Sequence, residues 1–318
     1  MREHKAVTAL LRQAESERRC AYGNNGAQRR ALKRRESIGE LVAPYPAVYA
    51  AAQYWNALNP PQQTLHVIRA LALKHPSWVF AGLSAACAYG LEHAYQLHDG
   101  TISIASTLVN RNTDCSKLRR IYMNDIRPWT AYGIRVTSPE RTLIDCGNQF
   151  EFPYALALFD SALRRNYTTT ERIWGLLIQV SPDTSRIKPL LEYANPLSEN
   201  GGESLMRGLI RQQHFAAPLL QVEFPNPDSS RSPYRVDFCR KLADGRIIVA
   251  EYDGIAKYAD ASNEHRASIL AKLEYERRRE AHLKANGVTA IIHVFYEDLI
   301  KVDQLAGKLL NAGVPKLR

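Results

Sequence analysis

The sequence predicts an α+β protein with several domains, and three observations lead to this prediction. The chain has 318 residues, enough for two or three domains of ordinary size. Two breaks rich in proline, glycine or polar residues, at 59–61 and 196–202, separate the segments 1–58, 61–198 and 200–318. Helix-like and strand-like hydrophobic patterns occur in each segment, so each is predicted to contain both kinds of element.

The composition narrows the class of protein. The chain is 45% hydrophobic and 23% charged, which is typical of a folded protein and excludes disordered and fibrous chains. It contains no run of 18 apolar residues, so we expect no membrane span. The charged start, Met1–Lys5, has no apolar segment after it, and the five cysteines form no CxxC pair. These features predict a cytoplasmic protein.

Residues 1–58 are predicted to form a winged helix-turn-helix. A helix over 3–19 is followed by a break at 22–26, a basic helix over 27–37 and a β-hairpin over 38–51. In that fold the helix before the hairpin enters the major groove of duplex DNA, and the hairpin lies beside it.

The net charge of +10 is concentrated in this head. Residues 1–40 contain ten Lys and Arg against five Asp and Glu, so half of the net charge lies in an eighth of the chain. A basic patch indicates an anionic partner, here double-stranded DNA. A solvated basic helix with no ligand is the alternative. The residues predicted to bind DNA are Arg29, Arg30, Lys33, Arg34 and Arg35.

The middle segment, 61–198, is predicted to be an α/β domain without catalytic residues. Its histidines are scattered singly, and no nucleophile, base and orienting group occur together in its sequence.

The segment 200–318 is predicted to be an α/β unit in the order helix, three-strand meander, helix, strand, helix. The turn between its second and third strands has either two residues or three, Ala243-Asp-Gly245. We prefer a three-residue turn, in which the numbers of facing residues sum to 488. This pairing places the charged residues on one face of the hairpin and the apolar residues on the other. One face holds Val236, Phe238, Ala250 and Tyr252, and the other holds Arg235, Asp237, Glu251 and Asp253.

This register places Asp237 opposite Glu251. Like charges directly opposite in a sheet are destabilising, so a compensating cation is expected. A Mg²⁺ or Mn²⁺ ion is one candidate, since it could bind carboxylates and activate water against a phosphodiester. A surface network that includes Arg235 is the alternative, and the pattern alone does not decide between them.

The C-terminal residues resemble the Vsr-like branch of the PD-(D/E)XK, restriction-endonuclease-like nucleases over about 200–300. The resemblance implies that Glu203, Asp237 and Glu251 bind the metal. Asp253 stands where the usual catalytic lysine is found, Lys257 follows one turn later, and His293 could supply the basic group of the last strand. The matching residues are Glu203, Arg235-Val-Asp-Phe238, Val249-Ala-Glu-Tyr-Asp-Gly254, Lys257-Tyr258 and Glu276-Arg-Arg-Arg-Glu280 with Leu283 and Gly287.

The rest of the chain is similar to AbiEi-type antitoxins, which repress their own operons. Residues 1–60 look like the winged-helix head of that family. The runs Leu83–Leu91, Val136–Asp145 and Leu158–Leu163 are similar to its middle domain. The resemblance implies DNA binding and suggests a toxin protein as a further partner.

Two hypotheses follow. In the first, the chain is a metal-dependent DNA endonuclease delivered by its head, with Glu203, Asp237, Glu251, Asp253 and Lys257 as catalytic residues. In the second, it is a toxin–antitoxin-type transcriptional regulator whose nuclease-like domain does not cleave.

Overall fold

The computed structural model describes residues 5–108, 115–229, 231–254 and 266–317, with side chains of the helix at 266 described from Glu274 onward. Contacts divide the chain into two compact units. The first contains residues 1–91, 95–149 and 168–188, and the second contains 92–94, 150–167 and 189–318. Both units mix helices with strands, which confirms the α+β class.

Runs of helices and runs of strands follow one another along the described chain. The elements up to residue 149 are α1 Lys5–Ser16, α2 Gly26–Ser37, β1 Leu41–Tyr45, β2 Val48–Ala51, α3 Ala52–Asn56, α4 Pro60–Lys74, α5 Gly82–Tyr89, a short 3-10 helix Tyr95–Leu97, β3 Ile102–Ser106, β4 Leu118–Tyr122, β5 Trp129–Ala131, β6 Ile134–Val136 and α6 Pro139–Gln149. The later elements are α7 Phe152–Arg164, α8 Thr170–Val180, α9 Lys188–Tyr193, α10 Gly201–Gln212, β7 Leu219–Phe224, β8 Tyr234–Lys241, β9 Ile247–Asp253, α11 Arg266–Ala285, β10 Val288–Phe295, α12 Tyr296–Ile300 and α13 Val302–Asn311.

None of the described helices has both the length and the apolar character needed to cross a membrane.

The N-terminal part of the first unit has its own small core. Helix α1 buries Val7 and Leu11, α2 buries Leu32, and both pack on Leu41 and Tyr49 of the antiparallel β1–β2 pair. The side chain of Asn25 caps α2 by accepting a hydrogen bond from the Gln28 amide. The rest of the unit has two short two-stranded pairs, parallel β3–β4 and antiparallel β5–β6, around the fully buried α5.

The second unit is built on a four-stranded sheet in the order β10-β9-β8-β7. Strands β7, β8 and β9 are antiparallel neighbours, and β10 runs parallel to β9. One face packs on α10 through a cluster that includes Met206, Phe238 and Ala250. The other face packs on α11 through a cluster that includes Val236 and Leu283. This order of elements confirms the predicted helix, meander, helix, strand and helix.

Helix α10 lies close to two other parts of this unit because glycines stand at the points of contact. A Cβ on Gly208 would lie 2.4 Å from Cα of Pro153 in α7, and one on Gly202 would lie 2.1 Å from the Tyr252 ring. The second contact brings the beginning of α10 to the end of β9. Glu203, at this end of α10, is therefore held near the end of β9.

The predicted hairpin register is confirmed. Phe238 pairs with Ala250 and Lys241 with Ile247, so paired residue numbers sum to 488. The Leu242 amide donates to the Arg246 carbonyl across a three-residue loop in which Gly245 has φ 86°. Glycine reaches this left-handed conformation without the steric cost that a Cβ brings.

The predicted division of faces is wrong at Val236. Phe238 and Ala250 face α10, with Tyr252 packed against the same cluster, but Val236 faces α11. The side-chain alternation along β8 is therefore interrupted between Val236 and Phe238. Gln221, on the neighbouring strand, has φ 52° at the corresponding position, so the irregularity affects both strands. It lies at Asp237.

Candidate functional site

The first candidate site is the outer face of α2. Four of the five residues predicted to bind DNA, Arg29, Arg30, Lys33 and Arg34, are exposed there. Together with Ser37 and Tyr49 they line a shallow depression. Lys33 donates to Glu36 at 2.7 Å, whereas the other three form no ion pair with any residue that the structure describes.

The fifth residue, Arg35, was wrongly predicted to contact DNA. It is 7% exposed, and its guanidinium donates to Glu40 at 3.2 Å and to the Thr8 hydroxyl at 3.3 Å. The helical repeat explains this position, because residues three and four apart share a face. Arg35 follows Ala31 and Leu32 by these steps, and both are buried.

The second candidate site is the end of the sheet where the predicted carboxylates lie. Glu203 is 3% exposed and is held by three donors: the Glu199 amide at 2.8 Å, the Asn200 side-chain amide at 2.6 Å and the Gln221 side-chain amide at 3.1 Å. Burial and then the negative charge of Asp237 raise the pKa of Glu203 to about 7. Glu203 and Asp237 are thus brought together as predicted.

Asp237 lies at the irregular position of β8. Its Oδ2 accepts a hydrogen bond of 2.9 Å from the Tyr252 amide, so its carboxylate spans from β8 to β9. The paired residues of β8 and β9 end at Phe238 and Ala250, so the predicted pairing of Asp237 with Glu251 stays a prediction.

Glu251 is paired with an arginine that the sequence analysis did not single out. Both Nη atoms of Arg279, in α11, donate to its carboxylate, with Nη1 at 2.9 Å from Oε2. Arg279 Nη2 also donates to the Arg235 carbonyl at 2.9 Å. Glu251 is 8% exposed, and such a bidentate pair neutralises its charge within the protein. Within the described residues Glu251 therefore has a cationic partner, and the binding of a metal by Glu251 stays a prediction.

Asp253 forms a different contact. Its Oδ2 lies 3.0 Å from Nδ1 of His293, and His293 Nε2 lies 3.5 Å from Glu280. The hydrogen bond to Asp253 raises the pKa of His293 above its ordinary value. The structure thus places His293 beside the carboxylates, as the sequence suggested. Lys257, the remaining predicted catalytic residue, lies outside the described residues.

The residues fit a divalent cation only in part. Glu203 and Asp237 offer oxygen ligands of the kind that Mg²⁺ and Mn²⁺ prefer. A third oxygen, Oε1 of Gln221, is buried and accepts no hydrogen bond from the described residues, although the same amide donates to Glu203. Glu251 is engaged by Arg279. The oxygens that this end of the sheet offers a cation are therefore those of Glu203, Asp237 and Gln221, and no sequence pattern pointed to Gln221.

Comparisons with known proteins give little help. No protein-family model matches the chain, and no curated protein matches it. Among solved structures, the chain is similar to the RV2827C protein from Mycobacterium tuberculosis, with 18% identity, coverage of 63% of this chain and 78% of that chain, and a TM-score of 0.36. A likeness at this level establishes neither a shared fold nor a function.

The raised pKa of Glu203 predicts a pH-dependent loss of stability. Because the folded-state pKa lies above the ordinary 4.5, the proton is bound more tightly in the folded chain. The stabilisation that this proton provides is complete below about pH 4.5 and is lost as the pH rises to about 7. The free energy of unfolding falls by up to roughly 3 kcal/mol over this range. Urea unfolding in EDTA at pH 4.5 and 7.5 should show this difference relative to Glu203→Gln. The exposed Glu223 provides a control as Glu223→Gln, and equal pH dependence in wild type and Glu203→Gln would contradict the assignment.

Proposed function

We propose that the protein binds double-stranded DNA through its N-terminal residues and acts as a transcriptional regulator of the AbiEi type. The observation that carries the proposal is the exposed cationic face of α2, where Arg29, Arg30 and Arg34 form no ion pair with a described acid. The order α1, α2 and β1–β2 hairpin agrees with a winged helix-turn-helix, in which α2 is the recognition helix.

The two faces of α2 support this role. Ala31, Leu32 and Arg35 attach the helix to the head, so its opposite face is free to approach a ligand. Arginine side chains on such a face suit both phosphate oxygens and the O6 and N7 acceptors of guanine. Tyr49 of the hairpin lines the same depression, so the hairpin lies where it could flank bound DNA.

The carboxylate cluster supports a regulator rather than a nuclease. The nuclease resemblance assigns three carboxylates to the metal, and the third, Glu251, is held by Arg279. Removal of one partner from a buried ion pair typically costs about 3–5 kcal/mol, because the other charge is left uncompensated. We therefore propose that the second unit serves as a structural module. A toxin partner stays a prediction from the resemblance.

Neutralising the α2 face should weaken DNA binding without unfolding the head. The variant Arg29→Gln, Arg30→Gln, Arg34→Gln removes up to three phosphate contacts, so the slope of log K against log[salt] should fall by up to about 2.7. Fluorescence anisotropy with a labelled duplex of about 30 base pairs over a range of NaCl concentrations measures both quantities. The matched control is Arg127→Gln, Arg231→Gln, Lys301→Gln, which removes three exposed cations elsewhere. Equal affinities and slopes for the two variants would refute the proposed interface.

A metal-dependent nuclease is the second candidate, and one observation favours it. Gln221 Oε1 is buried beside Glu203 and accepts no hydrogen bond from the described residues, and burial together with the negative charge of Asp237 raises the pKa of Glu203. A divalent cation among these oxygens would relieve both the unsatisfied acceptor and the repulsion between carboxylates. When bound, such an ion supplies an activated water and stabilises charge on a phosphodiester.

Mn²⁺ binding tests this candidate directly. If the protein is such a nuclease, Arg279→Gln should bind Mn²⁺ several-fold more tightly than wild type, because Glu251 is released from its ion pair. Asp237→Asn should bind Mn²⁺ more weakly than wild type. Electron paramagnetic resonance of free Mn²⁺ gives the affinities, and circular dichroism verifies folding. Arg277→Gln, an exposed neighbour on α11, is the matched control. If all four proteins bind Mn²⁺ equally, the carboxylates hold no metal.

A further inference from the structure

A second group of cations lies beside the loop that joins α1 to α2. Arg18 and Arg29 belong to the head, whereas Arg69 and Lys74 belong to α4, beyond the segment predicted to bind DNA. None of the four forms an ion pair with a described carboxylate. All four belong to the first compact unit, so their arrangement is part of one body.

Hydrogen bonds fix α4 against this loop. The Cys20 amide donates to the His66 carbonyl at 3.0 Å, and Arg69 Nη1 donates to the Arg18 carbonyl at 3.0 Å. The ring of Tyr22 lies between two cations, with Lys74 Nζ at 5.8 Å and Arg19 Cζ at 5.9 Å from its centre. Of these two cations, Arg19 is paired with Glu17, at 2.5 Å.

The charges of the head also act on the two cations of α4. Burial and then the charge of Arg18 lower the pKa of Arg69, and burial and then the charge of Arg29 lower the pKa of Lys74. Like charges held together raise the energy of the folded protein, and nearby anions relieve that cost. A Cβ on Gly23, next to Tyr22, would lie 2.7 Å from the Arg29 backbone nitrogen, so the loop that Lys74 contacts also touches Arg29 of the α2 face.

We propose that Arg69 and Lys74 of α4 extend the DNA-binding surface of α2 and contact the phosphate backbone of the same duplex. This inference rests on the proposed DNA binding. An extended group of cations suits duplex DNA better than a small anion, because DNA presents one negative charge per about 1.7 Å of its axis. The contacts go to phosphates, so they add affinity and orientation without sequence preference.

Salt-dependent binding of the full chain to a duplex of about 30 base pairs tests the extension. The variant Arg69→Gln, Lys74→Gln should lower the slope of log K against log[salt] by about 1.8, or about 0.9 for each lost phosphate contact. Lys74→Gln alone should lower it by about 0.9. This single variant guards against a folding effect, because Arg69 also donates to the Arg18 carbonyl. Arg127→Gln, Lys301→Gln is the control with equal charge loss and should leave the slope unchanged.

The outcomes separate the extension from the proposed function. If both α4 variants keep the wild-type slope and affinity while the triple α2 variant loses binding, the extension is wrong and DNA binding stands. If neither the α2 nor the α4 variants change the slope, both proposals are wrong. A duplex RNA of the same length serves as competitor, and displacement of DNA at equal concentration would overturn the assignment to DNA.

Discussion

Arg279 and Glu251 form a bidentate ion pair whose side chains are only 12% and 11% exposed. Through the further hydrogen bond to the Arg235 carbonyl, the same guanidinium joins α11 to β8 as well as to β9. The pair thus fixes the helix on the sheet at the edge where the carboxylates gather. It also removes one negative charge from that edge, which leaves Glu203 and Asp237 as the carboxylates able to attract a cation.

Charge therefore has different roles in the two units. In the first unit, arginines and a lysine of α2 and α4 lie near one another without described acidic partners, an arrangement that favours a polyanion. In the second unit, the acidic side chains contact basic side chains of the same unit. Glu251 pairs with Arg279, and Asp253 contacts His293. A protein that holds DNA without cutting it would need the first property and not an open metal site.

Local patterns predicted the elements and the hairpin register, because turn chemistry and apolar alternation act over a few residues. The loop at Gly245 was predictable for this reason, whereas the approach of Glu203 to Asp237 was implied by the nuclease resemblance alone. Arg279 was not predictable, since it lies 28 residues from Glu251 and the sequence does not show which of three consecutive arginines turns inward. Arg35 could have been excluded from the helical repeat alone. The role of Gln221 could not have been predicted, because its position depends on the strand irregularity that it shares with Asp237.

Incubation of the full chain with supercoiled plasmid in Mg²⁺ or Mn²⁺ tests the central claim most directly. Wild type should shift the plasmid in a gel before deproteinisation and leave it supercoiled afterwards, because Arg279 keeps Glu251 from a metal. The Asp237→Ala variant should behave identically. Nicking or linearisation by wild type that disappears in Asp237→Ala, with its fold verified by circular dichroism, would contradict the account and establish a nuclease.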